Sequence, residues 1–128
     1  MRHKYNKLLE LDTWAKKKDV FVRQLLTNLI KNGKTTTTPK RAKVLKSEVD
    51  AFFANLVRIS KKLEEKDAKR ECIRYVKSRI FGEAEGKKVI NVLLPKFLEA
   101  GMTTSFVADY KLGHRVGDGV QKIMLKLL

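Results

Sequence analysis

Residue types that usually carry catalysis or metal binding are scarce in this sequence. Its 128 residues include one cysteine, Cys72, and two histidines, His3 and His114. One cysteine cannot form an internal disulfide, which fits a reducing compartment, and with two distant histidines it does not make a zinc motif. Neither histidine lies at a recognised spacing from a nucleophile and a carboxylate. The sequence therefore predicts a protein that is not an enzyme and holds no metal or cofactor.

Long apolar segments are also absent. No stretch approaches the roughly 20 consecutive apolar residues that span a bilayer. Residues 1–4 are basic, but no continuous apolar stretch follows them, which argues against a secretory signal. The acidic residues Glu10, Asp12 and Asp19 are atypical of a transit peptide. We therefore expect no membrane partner, and without a catalytic constellation we expect no small-molecule substrate.

A large excess of positive charge is the dominant feature that the sequence does have. With 29 basic and 14 acidic side chains the formal net charge is +15, whereas the hydrophobic fraction of 43% is ordinary for a folded protein. Residues 1–46 contain 13 basic and 3 acidic residues, so two thirds of the excess lies in little more than one third of the chain. Nucleic acid, anionic lipid or an acidic protein could balance this charge. Its asymmetry indicates a directed contact rather than general solubility.

Apolar residues recur at helical spacing in the first half of the chain. Residues 19–32 carry one apolar stripe and are followed by a glycine, which accepts the left-handed conformation after a helix. The β-branched run at 34–38 predicts a strand. Thr38 and Pro39 then predict the N-cap and first position of the longest helix, which continues to about Ser60.

The second half of the sequence combines two further helices with a hairpin. Asp67 is predicted to cap a third helix that runs through Phe81. The residues expected to face inward on it are Cys72, Ile73, Val76 and Ile80. A fourth helix is predicted over about residues 85–94, and Pro95 is expected to break or kink it. Alternating apolar residues on both sides of the Gly-rich loop 113–119 predict an antiparallel hairpin.

Together these elements predict an α+β fold, in which about four helices pack on a small three-stranded mixed sheet. We expect residues 1–18 to form a basic N-terminal arm and residues 19–128 to form a single α+β domain. We also expect the arm to be unordered without its partner, because its charge density opposes packing.

Two places in the sequence suit the binding of phosphate. The helix start at Pro39 has exposed N–H groups with a partial positive charge, and several basic residues follow within two turns. The loop 113–119 could cradle a phosphate, but the favoured interpretation is a hairpin turn whose glycines supply positive φ. Both interpretations hold if Arg115 reaches a phosphate from the turn.

Five short motifs occur in order along the chain. They are Met1-Arg2-His3, Arg23 followed by Leu29-Ile30, Thr37-Thr38, Ala42-Lys43 with Leu45, and Gly113-His114-Arg115-Val116-Gly117-Asp118. In order and spacing they resemble the family of the seventeenth protein of the bacterial large ribosomal subunit, whose C-terminal turn reads Gly-Phe-Arg-x-Gly-Asp. The resemblance covers essentially the whole chain.

The sequence departs from that family pattern in three places. The family's arm contains a Gly-Arg and a His-Arg step, whereas the stretch from Leu9 to Lys18 keeps only Lys18 as the counterpart of the last arginine. The family's Tyr-Thr-Arg before the turn appears here as Phe106-Val107-Ala108, and His114 replaces the usual aromatic residue. The chain is therefore similar to a diverged member of the family.

The resemblance implies a structural constituent of the bacterial large ribosomal subunit, located in the cytoplasm, with no catalytic activity and no cofactor. Its implied partners are large-subunit ribosomal RNA, bound through the basic arm and helix faces, and neighbouring large-subunit ribosomal proteins near the peptide exit side. The RNA-binding residues that we expect are Arg2, His3, Lys4, Lys16, Lys17, Lys18, Arg23, Thr37, Thr38, Lys40, Arg41, Lys43, Lys111 and Arg115.

Two other functions are weighed against this one. A free-standing nucleic-acid regulator would need a recognition helix that reads base edges, and the helix from Pro39 lacks the density of Asn and Gln that base reading often uses. A nuclease would need paired carboxylates around a metal. The pairs Glu64-Glu65 and Glu83/Glu85 are typical of solvated helix ends and have no metal motif around them.

Overall fold

The computed structural model of the chain describes residues 18–128. The predicted arm lies outside the described residues, and so do the candidate contacts Arg2, His3, Lys4, Lys16 and Lys17 and the side chain of Lys18. The described elements are α1 (Lys18–Asn32), β1 (Lys34–Thr37), α2 (Pro39–Lys62), α3 (Glu65–Arg79), α4 (Glu83–Lys88), a π-helical turn (Val89–Leu93), α5 (Leu94–Glu99), β2 (Val107–His114) and β3 (Gln121–Leu127). The predicted α+β fold of helices on a three-stranded sheet is confirmed.

The sheet is antiparallel throughout, in the order β1-β3-β2. A mixed sheet was expected, and that detail is wrong. Because β3 lies in the centre, each outer strand pairs only with β3, and β1 and β2, which run in the same direction, are not neighbours. The predicted hairpin of β2 and β3 is confirmed. It contains an irregularity between Lys111 and Gly113, where β2 has one extra residue.

One face of the sheet packs against the helices and encloses the core. Three aromatic rings from different parts of the chain meet there: Phe53 of α2, Phe97 of α5 and Phe106 just before β2. The Phe53 ring centroid lies 4.9 Å from that of Phe97 and 5.6 Å from that of Phe106. All three side chains are fully buried. This cluster joins α2, α5 and the sheet into one hydrophobic core.

The third helix differs from its prediction in three details. It begins at Glu65, before Asp67, and the preceding N-cap, Glu64, makes no side-chain capping bond. It ends at Arg79 and does not reach Phe81. Cys72 and Val76 are buried as expected, but Ile73 is 37% exposed. Ile73 follows Cys72 by one residue, which rotates it about 100° around the helix and away from the core.

Pro95 does not break the fourth helix, although a break was one of the two outcomes that the sequence predicted. Helical structure runs on from Glu83 to Glu99, with a π-helical turn directly before the proline. There the N–H of Leu94 donates to the carbonyl of Val89, five residues earlier. Pro95 then occupies the first turn of α5, where a missing N–H costs little. The wider turn thus lets the helix continue through a residue that normally breaks it.

We expect Phe53→Ala to lower the free energy of unfolding by about 3–5 kcal/mol, because the cavity removes contacts with two other buried rings. Urea denaturation followed by circular dichroism measures the change. The matched control is Val92→Ala, at a side chain that is 56% exposed, where a change within about 0.5 kcal/mol is expected. A loss at Phe53 no larger than that of the control would contradict the assigned core.

Candidate nucleic-acid interface

A shallow groove lies where the end of β1, the start of α2 and the hairpin turn meet. Its volume is about 220 Å³. It is lined by Thr36, Thr37, Thr38, Arg41, Arg115, Val120, Gln121 and Lys122. Four of the residues predicted from the sequence, from two separate parts of the chain, therefore meet in one place. No acidic side chain lines the groove.

The start of α2 brings positive character to this groove. Thr38 is the N-cap and Pro39 the first helical residue, as predicted, and the N–H of Ala42 donates to the carbonyl of Thr38 over 2.9 Å. The Thr38 hydroxyl makes no capping hydrogen bond, contrary to the expected cap. Because the first turn contains no acidic residue either, nothing on α2 offsets the partial positive charge of the helix N-terminus.

The hairpin turn presents Arg115 to the same groove. The backbone N–H of Arg115 donates to Val120 over 2.7 Å, and the N–H of Gly119 donates back to Arg115 over 3.0 Å. Gly117 and Gly119 have φ values of +110° and +69°. Glycine adopts such values without strain, so the predicted role of the glycines in a hairpin turn is confirmed.

An ion pair within the turn orients the Arg115 side chain. Its guanidinium donates to the Asp118 carboxylate through Nη2 and, over 3.0 Å, through Nε, and the N–H of Val120 donates to the same carboxylate. These bonds lower the pKa of Asp118 to about 2. The guanidinium is therefore held by its own turn while remaining half exposed at the groove.

The other predicted residues of the described part lie apart from the groove. Lys40 and Lys43 are exposed on α2, and Lys111 is exposed on β2. Within the groove, Arg41 places its guanidinium 5.1 Å from the ring centroid of Phe21 in α1. This cation–π contact positions a side chain that would otherwise be free on the helix surface.

Arg23 makes its contacts within the domain. Its Nη2 donates to the carbonyls of Lys77 and Ile80 at the end of α3, each over 3.4 Å, and its guanidinium lies 4.2 Å from the ring centroid of Phe81. Thr27, one turn later, accepts from the N–H of Phe81 over 3.1 Å. These contacts attach α1 to the end of α3, so Arg23 is not part of the groove.

Lys122 is the charged groove residue that the sequence reasoning missed. It lies next to Arg115 and the threonines because β3 pairs with both outer strands. Its signal was the alternation of Lys122, Met124 and Lys126 with Ile123, Leu125 and Leu127. That alternation marks an exposed face of a strand, but it does not show which other elements lie nearby.

Residues of the described part that could have taken part in catalysis or metal binding include Cys72 and the acidic residues at the helix ends. No group of three or more potential metal ligands occurs among residues 18–128. Cys72 is buried, and burial raises the pKa of its thiol, as expected for a core residue. Glu83 forms an ion pair with Lys87 over 3.1 Å at the exposed start of α4, as expected for a solvated helix end. No helix in this part of the chain is long and apolar enough to cross a membrane.

A small basic α+β domain with a cationic groove is typical of a nucleic-acid-binding protein. A model of the ribosomal protein L17 family matches residues 21–128. The chain therefore belongs to the ribosomal protein L17 family and is a structural component of the cytoplasmic ribosome, not an enzyme. This confirms the resemblance inferred from the five motifs.

Three relatives are named large ribosomal subunit protein bL17. The one from Fervidobacterium nodosum is 27% identical over 132 residues, which cover 100% of this chain and 99% of the relative. The one from Clostridium acetobutylicum is 29% identical over 107 residues, or 84% of each chain. The one from Desulforamulus reducens is also 29% identical over 107 residues, 84% of this chain and 86% of its own. The low identities fit a diverged member.

The Arg115–Asp118 ion pair predicts a pH dependence of the turn. The pKa of Asp118 in the folded chain is about 2, below the unfolded value of about 3.9. The contribution of the pair is therefore fully present above about pH 4–5 and is lost as the pH falls toward 2. The midpoint of the Asp118 carboxyl ¹³C shift should be near 2, and in Arg115→Gln it should return to the ordinary range. A midpoint near 3.9 in the unsubstituted protein would refute the ion pair.

We expect Arg23→Met to lower the free energy of unfolding by about 1–2 kcal/mol. The substitution keeps an apolar stem but removes the charged donors at the end of α3 and the contact with the Phe81 ring. Thermal and urea denaturation measure the effect. Arg70→Met, at an exposed position of α3, serves as the control and should change stability by less than about 0.5 kcal/mol. Equal effects of the two substitutions would argue against the attachment of α1 to α3.

Proposed function

We propose that the chain is a structural constituent of the bacterial large ribosomal subunit that binds large-subunit ribosomal RNA through the groove and a basic N-terminal arm. Family membership supports the ribosomal role. Beyond this role, we propose the specific RNA contacts described below, and we propose that the neighbouring ribosomal proteins are those near the peptide exit side. The observation that carries it is the meeting of Thr37, Thr38, Arg41 and Arg115 with Lys122 in one groove without an acidic side chain.

The chemistry of this groove suits a phosphate of an RNA backbone. Arg41 offers a guanidinium group that can bind phosphate oxygens at two points, and Lys122 adds a compact positive charge. Arg115 contributes the N–H groups that its ion pair with Asp118 leaves unoccupied. The threonine hydroxyls can donate to further oxygens. The N-terminus of α2 favours negative charge in the same place. Hydrogen-bond donors and positive charge thus converge from three elements on one small volume.

In this proposal the N-terminal arm and the domain each contribute a separate set of residues to the contact with ribosomal RNA. Residues 1–18 form the arm, which supplies Arg2, His3, Lys4 and residues 16–18. Residues 19–128 form the domain, which supplies the groove together with Lys40, Lys43 and Lys111. The concentration of two thirds of the excess charge in residues 1–46 supports this division. Arg23 is left out of the contact set because its side chain is engaged with α3.

Substitution of two groove residues tests the proposal. We expect Arg41→Gln with Lys122→Gln to weaken binding to a large-subunit ribosomal RNA fragment and to reduce the salt slope of the binding constant by about 2, because each lost phosphate contact removes about one released counterion. Filter binding between about 50 and 200 mM salt measures the slope. The control replaces Lys69 and Arg70, both exposed on α3, with Gln and changes the net charge equally.

The outcome separates a local contact from general attraction. Equal losses of slope in the groove variant and the α3 variant would contradict a specific role of the groove. The ribosomal role itself is tested by sedimentation of the tagged full chain from a bacterial lysate at moderate magnesium. The chain should travel with the large subunit, and finding it entirely in the free-protein fraction would overturn the proposal.

A further inference from the structure

The sheet has a second face, directed away from the helices. On β3 the side chains of Ile123, Leu125 and Leu127 are buried against the helices. Lys122, Met124 and Lys126 alternate with them and therefore point to the opposite face. Tyr110 of β2 pairs with Met124 of β3, so it lies on the same outer face, and its side chain is 48% exposed. Leu112, the extra residue of β2, is 47% exposed.

The register of the three strands arranges the outer face in rows. Thr36 of β1, Met124 of β3 and Tyr110 of β2 form the middle row. Lys34 and Lys126 are directly opposite each other in the next row. Like charges directly opposite each other on neighbouring strands are destabilising. Neither lysine forms an ion pair with any other residue of the described part of the chain.

Acidic residues are missing from this face. β1 (KTTT) and β3 (QKIMLKL) contain none. The one acidic residue of β2, Asp109, pairs in register with the buried Leu125, and its carboxylate accepts from Nζ of Lys46 of α2 over 3.0 Å. Asp109 therefore lies on the helix side of the sheet. The outer face combines an exposed aromatic ring with a concentration of positive charge that no acidic residue of its strands offsets.

We propose that this outer face binds an unpaired segment of RNA, with a base stacked on the ring of Tyr110 and the adjoining phosphates at Lys34 and Lys126. The proposal rests on the RNA-binding function proposed above and adds a second contact surface, which adjoins the groove at Thr36 and Lys122. An unpaired strand offers both a π face and a closely spaced negative backbone, which are the two features that this face complements. In an RNA duplex the base faces are stacked inside the helix, so a duplex offers its phosphates but no free base face to the Tyr110 ring.

Tyrosine substitutions test the stacking. The probes are a fluorescein-labelled uridine 15-mer and a labelled RNA duplex of the same length, measured by anisotropy with the full chain. Tyr110→Leu should weaken binding of the single strand about tenfold, because base stacking on an aromatic ring contributes about 1–3 kcal/mol, and should leave duplex binding unchanged. Tyr110→Phe, the matched control, keeps the ring and should bind like the unsubstituted protein. Unchanged single-strand affinity of Tyr110→Leu, or an equal loss on the duplex, would overturn the proposal.

A lysine substitution tests the charge and does not touch the aromatic ring. Lys126→Gln relieves the repulsion by Lys34, so its melting temperature should equal or exceed that of the unsubstituted protein while its single-strand affinity falls several-fold. The control is Lys61→Gln, at an exposed position near the end of α2. An affinity loss no greater than that of the control, or a lowered melting temperature with full affinity, would show that the lysine pair has a structural role instead.

These measurements also distinguish the two proposals. If the unsubstituted chain binds neither probe nor ribosomal RNA, the proposed function fails and the sheet contact fails with it. If it binds RNA but Tyr110→Leu binds the single strand equally well, only the sheet contact is wrong. If Tyr110→Leu keeps full RNA affinity but no longer enters the large subunit, the outer face contacts a protein, and the RNA proposal for it is overturned.

Discussion

The pairing of β1 with β3 brings opposite ends of the described chain together, from Lys34 opposite Lys126 to Thr37 opposite Ile123. Since α2 begins two residues after β1, and the hairpin turn lies directly before β3, this pairing places the N-terminus of α2 beside Arg115. The two segments that line the groove are far apart in sequence. They meet only because β1 and β3 pair in an antiparallel register, and β1 has only four residues.

Burial on the helix side determines that register. Leu125 is fully buried, and the Phe53, Phe97 and Phe106 rings form the core on the same side of the sheet. A shift of β3 by one residue would exchange its faces and move two lysines into the core, which is prohibitively costly for unpaired charges. The core therefore specifies the positions of the lysines on the outer face and of Lys122 at the groove, although none of these residues contributes to the core.

Much of the fold could be predicted because local patterns coincide with it. The apolar stripe of residues 19–32, the Thr38–Pro39 start of α2 and the alternation along the two C-terminal strands each reflect a repeat within a few residues. The failures concern nonlocal effects. Pro95 breaks a regular helix, but a π-helical turn before it relieves the conflict. Likewise, the direction of β1 depends on which strand lies in the centre, and no local pattern encodes that.

The sequence predicted individual basic residues for the candidate site, but it did not predict which of them lie together. The reason is again that their proximity depends on nonlocal contacts. Arg41 and Arg115 could be named because a helix start and a glycine-rich turn are visible in sequence. Arg23 has the same chemistry, yet its guanidinium contacts carbonyls at the end of α3, more than fifty residues later. Whether an arginine is available to RNA depends on tertiary neighbours, so sequence reasoning counts every arginine alike. Lys122 was missed because its relevance depends on the β1–β3 pairing.

The acidic residues near the sheet account for the difference between its two sides. Asp50 accepts from the N–H of Phe106 over 3.0 Å, Asp109 pairs with Lys46, and Asp118 holds Arg115 within the turn. Each of these carboxylates stabilises a connection between elements or a turn, and none lies on the outer face. These three acidic residues therefore lie where they accept structural hydrogen bonds. The outer face has no acidic residue on its strands, so the repulsion between Lys34 and Lys126 is not offset there. Because that repulsion lowers the stability of the free protein, the RNA proposed to bind the outer face would gain affinity by relieving it.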